Sequence, residues 1–177
     1  MARCRQGIGS VIVEDGLEGP SSETNRRISF RPIDRTDFGV MQKWLAPPHA
    51  AVWWNEPFDP VSLEARYGPR IDGSEPVHVY LIQFEGVPIG WIQWYRRRDF
   101  PEYTIQLGAD DRSAGIDIAP GEGGMTGRGL GPAVIREFGT NYIFANSDLR
   151  AIVADPSVSN LRSVSVRRSR IRDIILI

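Results

Sequence analysis

The stretch Gly115-Ile116-Asp117-Ile118, followed by GEGGMTGRGLG (121–131) and PAVIREFGTNYIF (132–144), decides how this chain is read. Residues 115–118 form a short strand pattern. The glycine-rich turn then opens a helix whose Val134, Ile135, Phe138 and Tyr142 share one face. A strand, a turn of glycines and a helix start place free backbone N–H groups where an anion can sit. Glycine lets the backbone turn sharply and approach a ligand closely, although the same run also serves as a plain flexible loop.

Three anion-binding turns share this outline. A P-loop ends in Gly-Lys-Ser/Thr, which Leu130-Gly131-Pro132 does not supply. The dinucleotide fingerprint needs a third glycine three residues after the second, and Pro132 or Val134 stands there, depending on the register. An acyl-CoA pyrophosphate loop needs Gly-x-Gly at the helix start. Gly129-Leu130-Gly131 fits it, with Pro132 in the first turn, where its missing N–H costs little.

Upstream, Val77–Phe84 and Val87–Tyr95 are rich in β-formers and flank Glu85-Gly86, a hairpin signature. Ile28–Arg31 alternates as a strand. Asp34 or Thr36 starts a helix to about Leu45, ended by Pro47-Pro48. Asp59-Pro60 starts a second helix, Val61–Tyr67. Residues 96–114 read as a long polar loop and Leu149–Ala154 as a buried strand. A last helix opens at Asn160. Residues 1–27 read as a flexible leader in which Val11-Ile12-Val13 could be a strand. The expected fold class is α/β, a mixed, mostly antiparallel sheet with helices on both faces.

The 177 residues, 41% hydrophobic and 24% charged, suit one globular domain. A net charge of −1 argues against nucleic acid as a partner. One cysteine, Cys4, cannot form an intramolecular disulfide and fits a reducing compartment, so the cytoplasm is expected. His49 and His78 have no ligand cluster at usable spacing, so no metal is expected. No apolar run suggests a signal peptide or membrane span.

GVPIGWIQWY (86–95), Gly115-Ile116-Asp117, GRGLG (127–131) and ADPSVSNLRSV (154–164) occur in the order and near the spacing of the GNAT superfamily. With Val52-Trp53-Trp54, the set resembles the aminoglycoside 6'-N-acetyltransferases over residues 28–164. The resemblance implies acetyl-CoA as cosubstrate, held in a V-shaped opening between two splayed parallel strands. Backbone of Ile118 and Ala119 would hold the pantetheine arm. Arg128, Gly129, Leu130 and Gly131 would hold the pyrophosphate, and Asn160 the CoA arm. Asp117 would be the catalytic carboxylate. With Asp155 it would hold the aminoglycoside near its reacting amine, and Trp54 would wall the cleft. Thr126 departs from the Gln or Arg common two residues before Arg128.

Amine acetylation needs a neutral amine beside a thioester, a carboxylate that orients it and accepts its proton through water, and an N–H donor for the oxyanion. A polycation also needs acid nearby, and residues 99–123 carry Asp99, Glu102, Asp110, Asp111, Asp117 and Glu122 against Arg112. For most of these acids a solvated loop accounts equally for the pattern. Asp155-Pro156 also reads as a turn or helix cap. Two other readings stay open: acetylation of another amine, such as a siderophore precursor, and a non-catalytic CoA-binding domain.

After Val164 the family pattern stops. A small residue, Tyr, Glu, a variable residue, Ala, Gly and Phe are expected, but residues 165–177 read SVRRSRIRDIILI, and five arginines fall in 162–172. Codons for Val166–Arg172 can be written so that a shift of one base spells Tyr-Glu-Glu-Ala-Gly-Phe, which suggests a frameshift; the other reading is a naturally divergent terminus that still folds as a helix and strand. The family's tyrosine, implied as the acid for the departing thiolate, would fall near Arg167. Two covering strands would be lost, exposing a sheet edge and impairing stability and turnover.

Overall fold

The computed structural model describes residues 11–14, 27–47, 58–101, 112–121, 130–145, 148–154 and 174–176. Strands β1 (Val11–Glu14), β2 (Ile28–Pro32), β3 (Val77–Phe84), β4 (Val87–Arg96), β5 (Ser113–Pro120), β6 (Ala151–Ala154) and β7 (Ile174–Leu176) form one sheet in the order β2-β3-β4-β5-β6-β1-β7. Every neighbouring pair is antiparallel except β5–β6, which is parallel. The helices are α1 (Phe38–Leu45), α2 (Pro60–Ile71) and α3 (Leu130–Phe138), the last continued by a π-helical turn, Gly139–Phe144. This is the mixed α/β architecture expected from the sequence.

The β3–β4 hairpin anchors the sheet. Glu85 and Gly86 both adopt positive φ, 51° and 79°, as a two-residue turn between right-twisted strands requires. Alternation then divides the side chains. Phe30, Ile82, Ile92, Ala114 and Ile116 pack against α3 through Val134, Ile135 and Phe138. Val79, Leu81, Trp91 and Ala119 pack on the other face with Met41, Trp44 and Leu45 of α1 and Leu63 and Tyr67 of α2. Helices therefore cover both faces.

Helix starts follow side-chain chemistry. Asp34 and Asp37 form a reciprocal capping box around a 3-10 turn, Arg35–Asp37, which leads into α1. Asp59 accepts from the backbone N–H groups of Val61 and Ser62 at 3.1 Å, with Pro60 in the first turn of α2. That helix runs beyond Tyr67 to Ile71, past Pro69, because tertiary packing outweighs the local cost of proline. The expected loop over 96–114 is partly structured too, by a 3-10 turn at Arg97–Asp99 and by the start of β5 at Ser113.

Both chain ends contribute a strand to the sheet. Val11–Glu14, placed in the leader, pairs with β6 as β1. Ile174–Leu176, placed in the aberrant tail, pairs with β1 as β7. The edge of β6 is thus covered rather than left open. Both segments are apolar and β-branched, and the ladder groups of β6 offer them backbone partners. The helix expected from Asn160 lies outside the described residues.

Candidate functional site

Asp117 stands in the middle of β5, directly across from Gln93 of β4. By alternation both face the α1–α2 side, in step with Trp91 and Ala119. Gln93 is only 5% exposed, so its amide needs partners on both ends. Its Nε2 donates to Asp117 Oδ2 at 2.7 Å. Its Oε1 accepts from Arg70 Nη1 of α2, also at 2.7 Å. Arg70 Nη2 in turn donates to Glu75 Oε1 at 3.1 Å. The result is a continuous chain, Glu75–Arg70–Gln93–Asp117, running from the end of α2 into the sheet.

The end of α2 explains how Glu75 reaches Arg70. The Pro69 carbonyl accepts from the backbone N–H of both Ser74 and Glu75, at 2.9 and 3.1 Å, and folds the chain back over the last turn. Burial drives the Asp117 carboxyl above the ordinary carboxylate range. Donation from Gln93 and the positive charges of Arg70 and Arg66 oppose that rise without cancelling it. A carboxyl so raised can exchange a proton closer to neutral pH than an exposed one can.

The backbone beside Asp117 opens. β5 pairs with β4 out to Pro120↔Gly90, but its parallel pairing with β6 ends at Gly115↔Val153. Ile116–Ala119 therefore continues without a strand partner on the β6 side among the described residues. Two glycines frame this segment. A Cβ on Gly115 would fall 2.3 Å from the ring of Tyr95, its cross-strand partner, and one on Gly121 would fall 2.2 Å from the ring of Trp44. Each glycine makes room for an aromatic ring that fixes one end of the opened strand. Buried Leu130 and the partly buried Gly131 begin α3.

The structure thus brings Asp117, Ile118 and Ala119 together at the opening and puts Leu130 and Gly131 at the head of α3. Trp54, Arg128, Gly129, Asp155 and Asn160 lie outside the described residues. Sequence reading missed Arg66, Arg70, Glu75 and Gln93. A signal existed for two of them: Gln93 is a lone polar residue in the inward set 91, 93, 95, and Arg70 follows Arg66 by four residues on a helix. Among the described residues no helix is long and apolar enough to cross a membrane.

A parallel strand pair whose pairing stops early, a carboxyl group beside the opening and a helix head that follows a glycine-rich sequence define a class of acyl-transfer fold. Residues 34–170 match the acetyltransferase (GNAT) domain, and the chain belongs to that family. It is 27% identical over 146 residues to aminoglycoside N(6')-acetyltransferase type 1 of Klebsiella pneumoniae, covering 81% of this chain and 72% of that one, and equally to the protein of that name from Serratia marcescens. Among solved structures it is similar to AAC(6')-Ib with paromomycin and acetyl-CoA, and to AAC(6')-Ib with coenzyme A and kanamycin. In both the TM-score is 0.67 and the identity 25%, with 80% of this chain covered and 80% and 81% of those chains. Spermidine N-acetyltransferase from Vibrio cholerae, 17% identical with a TM-score of 0.60 and coverages of 81% and 79%, shares the fold.

Proposed function

We propose that this chain transfers an acetyl group from acetyl-CoA to the 6'-amine of an aminoglycoside, in the cytoplasm. The observation that carries the reading is Asp117, held by Gln93 on the face beside the point where β5 leaves β6. Membership of the GNAT family and likeness to proteins named for this reaction support it. The residues fit the cosubstrate: the backbone of Ile116–Ala119 has no ladder partner on its β6 side among the described residues and can pair with an extended amide-bearing arm as a strand would. Leu130 and Gly131, at the head of α3, offer N–H groups to a diphosphate.

Asp117 orients the acceptor amine and takes its proton through water as nitrogen bonds to the thioester carbonyl carbon. The carbon–sulfur bond breaks, and the thiolate leaves with the electron pair. Oδ2 is engaged by Gln93, so Oδ1 is the oxygen this reading assigns to the substrate. Arg66 and Arg70 place positive charge beneath Asp117, so the remaining ammonium groups of a polycation need acids farther out. Asp99, Glu102, Asp110, Asp111 and Asp155 are the candidates, and Trp54 walls the cleft. Arg128 and Gly129 extend the diphosphate cradle, and Asn160 reaches the CoA arm.

The test is acetyl-CoA consumption with kanamycin, with spermidine and with a hydroxylysine-type amine in parallel. Fastest turnover on kanamycin is expected. Preference for either other amine overturns the substrate assignment, and coenzyme A binding without transfer to any of them selects a non-catalytic domain.

A further inference from the structure

A glutamine amide can present either end to a carboxyl group, and the two ends have opposite effects. With Nε2 facing Asp117 it stabilises the carboxylate. With Oε1 facing Asp117 it accepts from, and so favours, the protonated acid. Gln93 is buried, and its environment decides which end faces Asp117. Arg70 has only donors, so its Nη1 at 2.7 Å from Gln93 Oε1 permits one orientation, with Nε2 toward Asp117. Glu75 holds the other branch of the same guanidinium and limits its rotation. The Arg70 side chain is itself only 10% exposed.

We propose that Arg70 is a positioning residue for acyl transfer: by fixing the Gln93 amide it holds Asp117 as a proton acceptor with Oδ1 free for the substrate. This rests on the reading of Asp117 as the group that receives the amine proton. Arg70 does not touch the reacting atoms and acts only through Gln93 and through its charge. Among the described residues, the charged and titratable groups on the elements around Asp117 are Arg66, Tyr67 and Arg70 of α2, Glu75 just beyond that helix, and Tyr95 of β4, whose ring lies over Gly115. The β6 segment Ala151–Ala154 contributes none. The raised proton affinity that burial gives Asp117 is where a change at Arg70 would register.

The experiment is a titration of the Asp117 carboxyl carbon by NMR in the full chain, in Arg70→Met and in Gln93→Met, with the resonance assigned through Asp117→Asn. Both variants should move the midpoint to higher pH, and the double variant should move it by less than the sum of the two shifts, because part of the Arg70 effect runs through Gln93 and only its charge acts directly. The acid limb of kcat/KM should follow, with a loss of about tenfold at the acid end and little change on the alkaline plateau. A midpoint in Arg70→Met that coincides with the unaltered chain overturns the proposal. If Arg70→Met does not fold, Arg70→Lys tests the same relay, because it keeps the charge but loses the two-branched donor that spans Gln93 and Glu75. The Asp117 midpoint should still rise, and an unmoved midpoint there also overturns the proposal. A chain that acetylates no amine at any pH would sink the functional reading, while the NMR titration still decides whether Arg70 governs Asp117.

Discussion

The two faces of the sheet are built differently. The face under α3 is closed by an aromatic cluster in which Phe138 lies 4.9 Å from Phe30, 5.2 Å from Tyr80 and 5.1 Å from Tyr142, centroid to centroid. Its polar contribution is small: Tyr142 donates to the Phe30 carbonyl at 3.2 Å. The face under α1 and α2 also buries large apolar groups, but among them lie Asp37, held by Arg31, and the linked pair Gln93 and Asp117, with Arg70 on Gln93. Burying such groups is costly unless each is paired. The α3 face holds the fold, and the opposite face gives up some stability to hold polar groups in fixed geometry. Substitutions on the two faces should therefore separate stability from activity.

The largest effect is expected at Asp117. Asp117→Asn keeps the shape and can still accept from Gln93, but it cannot take a proton, so kcat/KM should fall by about a thousandfold, within the range for loss of a general base. The melting temperature should not drop. Steady-state kinetics beside a thermal melt checks both, and near-normal turnover would remove Asp117 from the mechanism. Phe138→Ala makes the converse cut. Loss of a fully buried ring should destabilise the chain by about 3–5 kcal/mol in denaturant unfolding. The folded fraction should keep the Asp117 titration unchanged. A shifted titration would mean that the faces are not independent.

Much of this division was legible in the sequence, and what was not has a physical cause. The hairpin was readable because Glu85-Gly86 between two β-rich runs permits few alternatives. Asp117 was readable as a candidate because Gly115-Ile116-Asp117 matches a family motif and lies in a short strand ahead of the glycine-rich sequence. The relay behind it was not, since Arg70, Glu75 and Gln93 meet only once α2 packs across the sheet, 23 residues separating Arg70 from Gln93. The strands at the two ends were only partly legible, for a related reason. Four residues of Val11–Glu14 and three of Ile174–Leu176 carry too little local pattern, and their pairing depends on an edge supplied by β6.

Asp37 offers a smaller test on the polar face, away from the opening. It is buried, receives both Nη groups of Arg31 at 2.6 and 2.8 Å, and accepts from the Asp34 N–H at 2.9 Å. It ties β2 to the entry of α1. Asp37→Ala should cost about 1–2 kcal/mol, as loss of a helix-start bond does, because Arg31 stays partly exposed and can return to water. Turnover per folded molecule should hold. A proportionate loss of turnover would show that α1 steers the site.

The smallest and most diagnostic effect is the stability of Asp117→Asn as a function of pH. Burial raises the Asp117 proton affinity above that of an unfolded carboxyl, so the native state binds more protons between the ordinary value of 3.8 and the raised one. Stability therefore falls as pH rises through that window, and above it the native state bears the full cost of an ionised, enclosed carboxylate. Asparagine carries no such cost. The variant should be more stable than the original at neutral pH, by about 0.5–2 kcal/mol, the usual scale of a single stabilising change. Below 3.8 both side chains are neutral and the gain should vanish. Denaturant unfolding of the two chains across this range gives the difference directly. A constant gain would point to packing, and a gain that grows toward acid would mean that Arg66, Arg70 and Gln93 overcome burial, making Asp117 a stabilising ion-paired carboxylate like those that cap the helices.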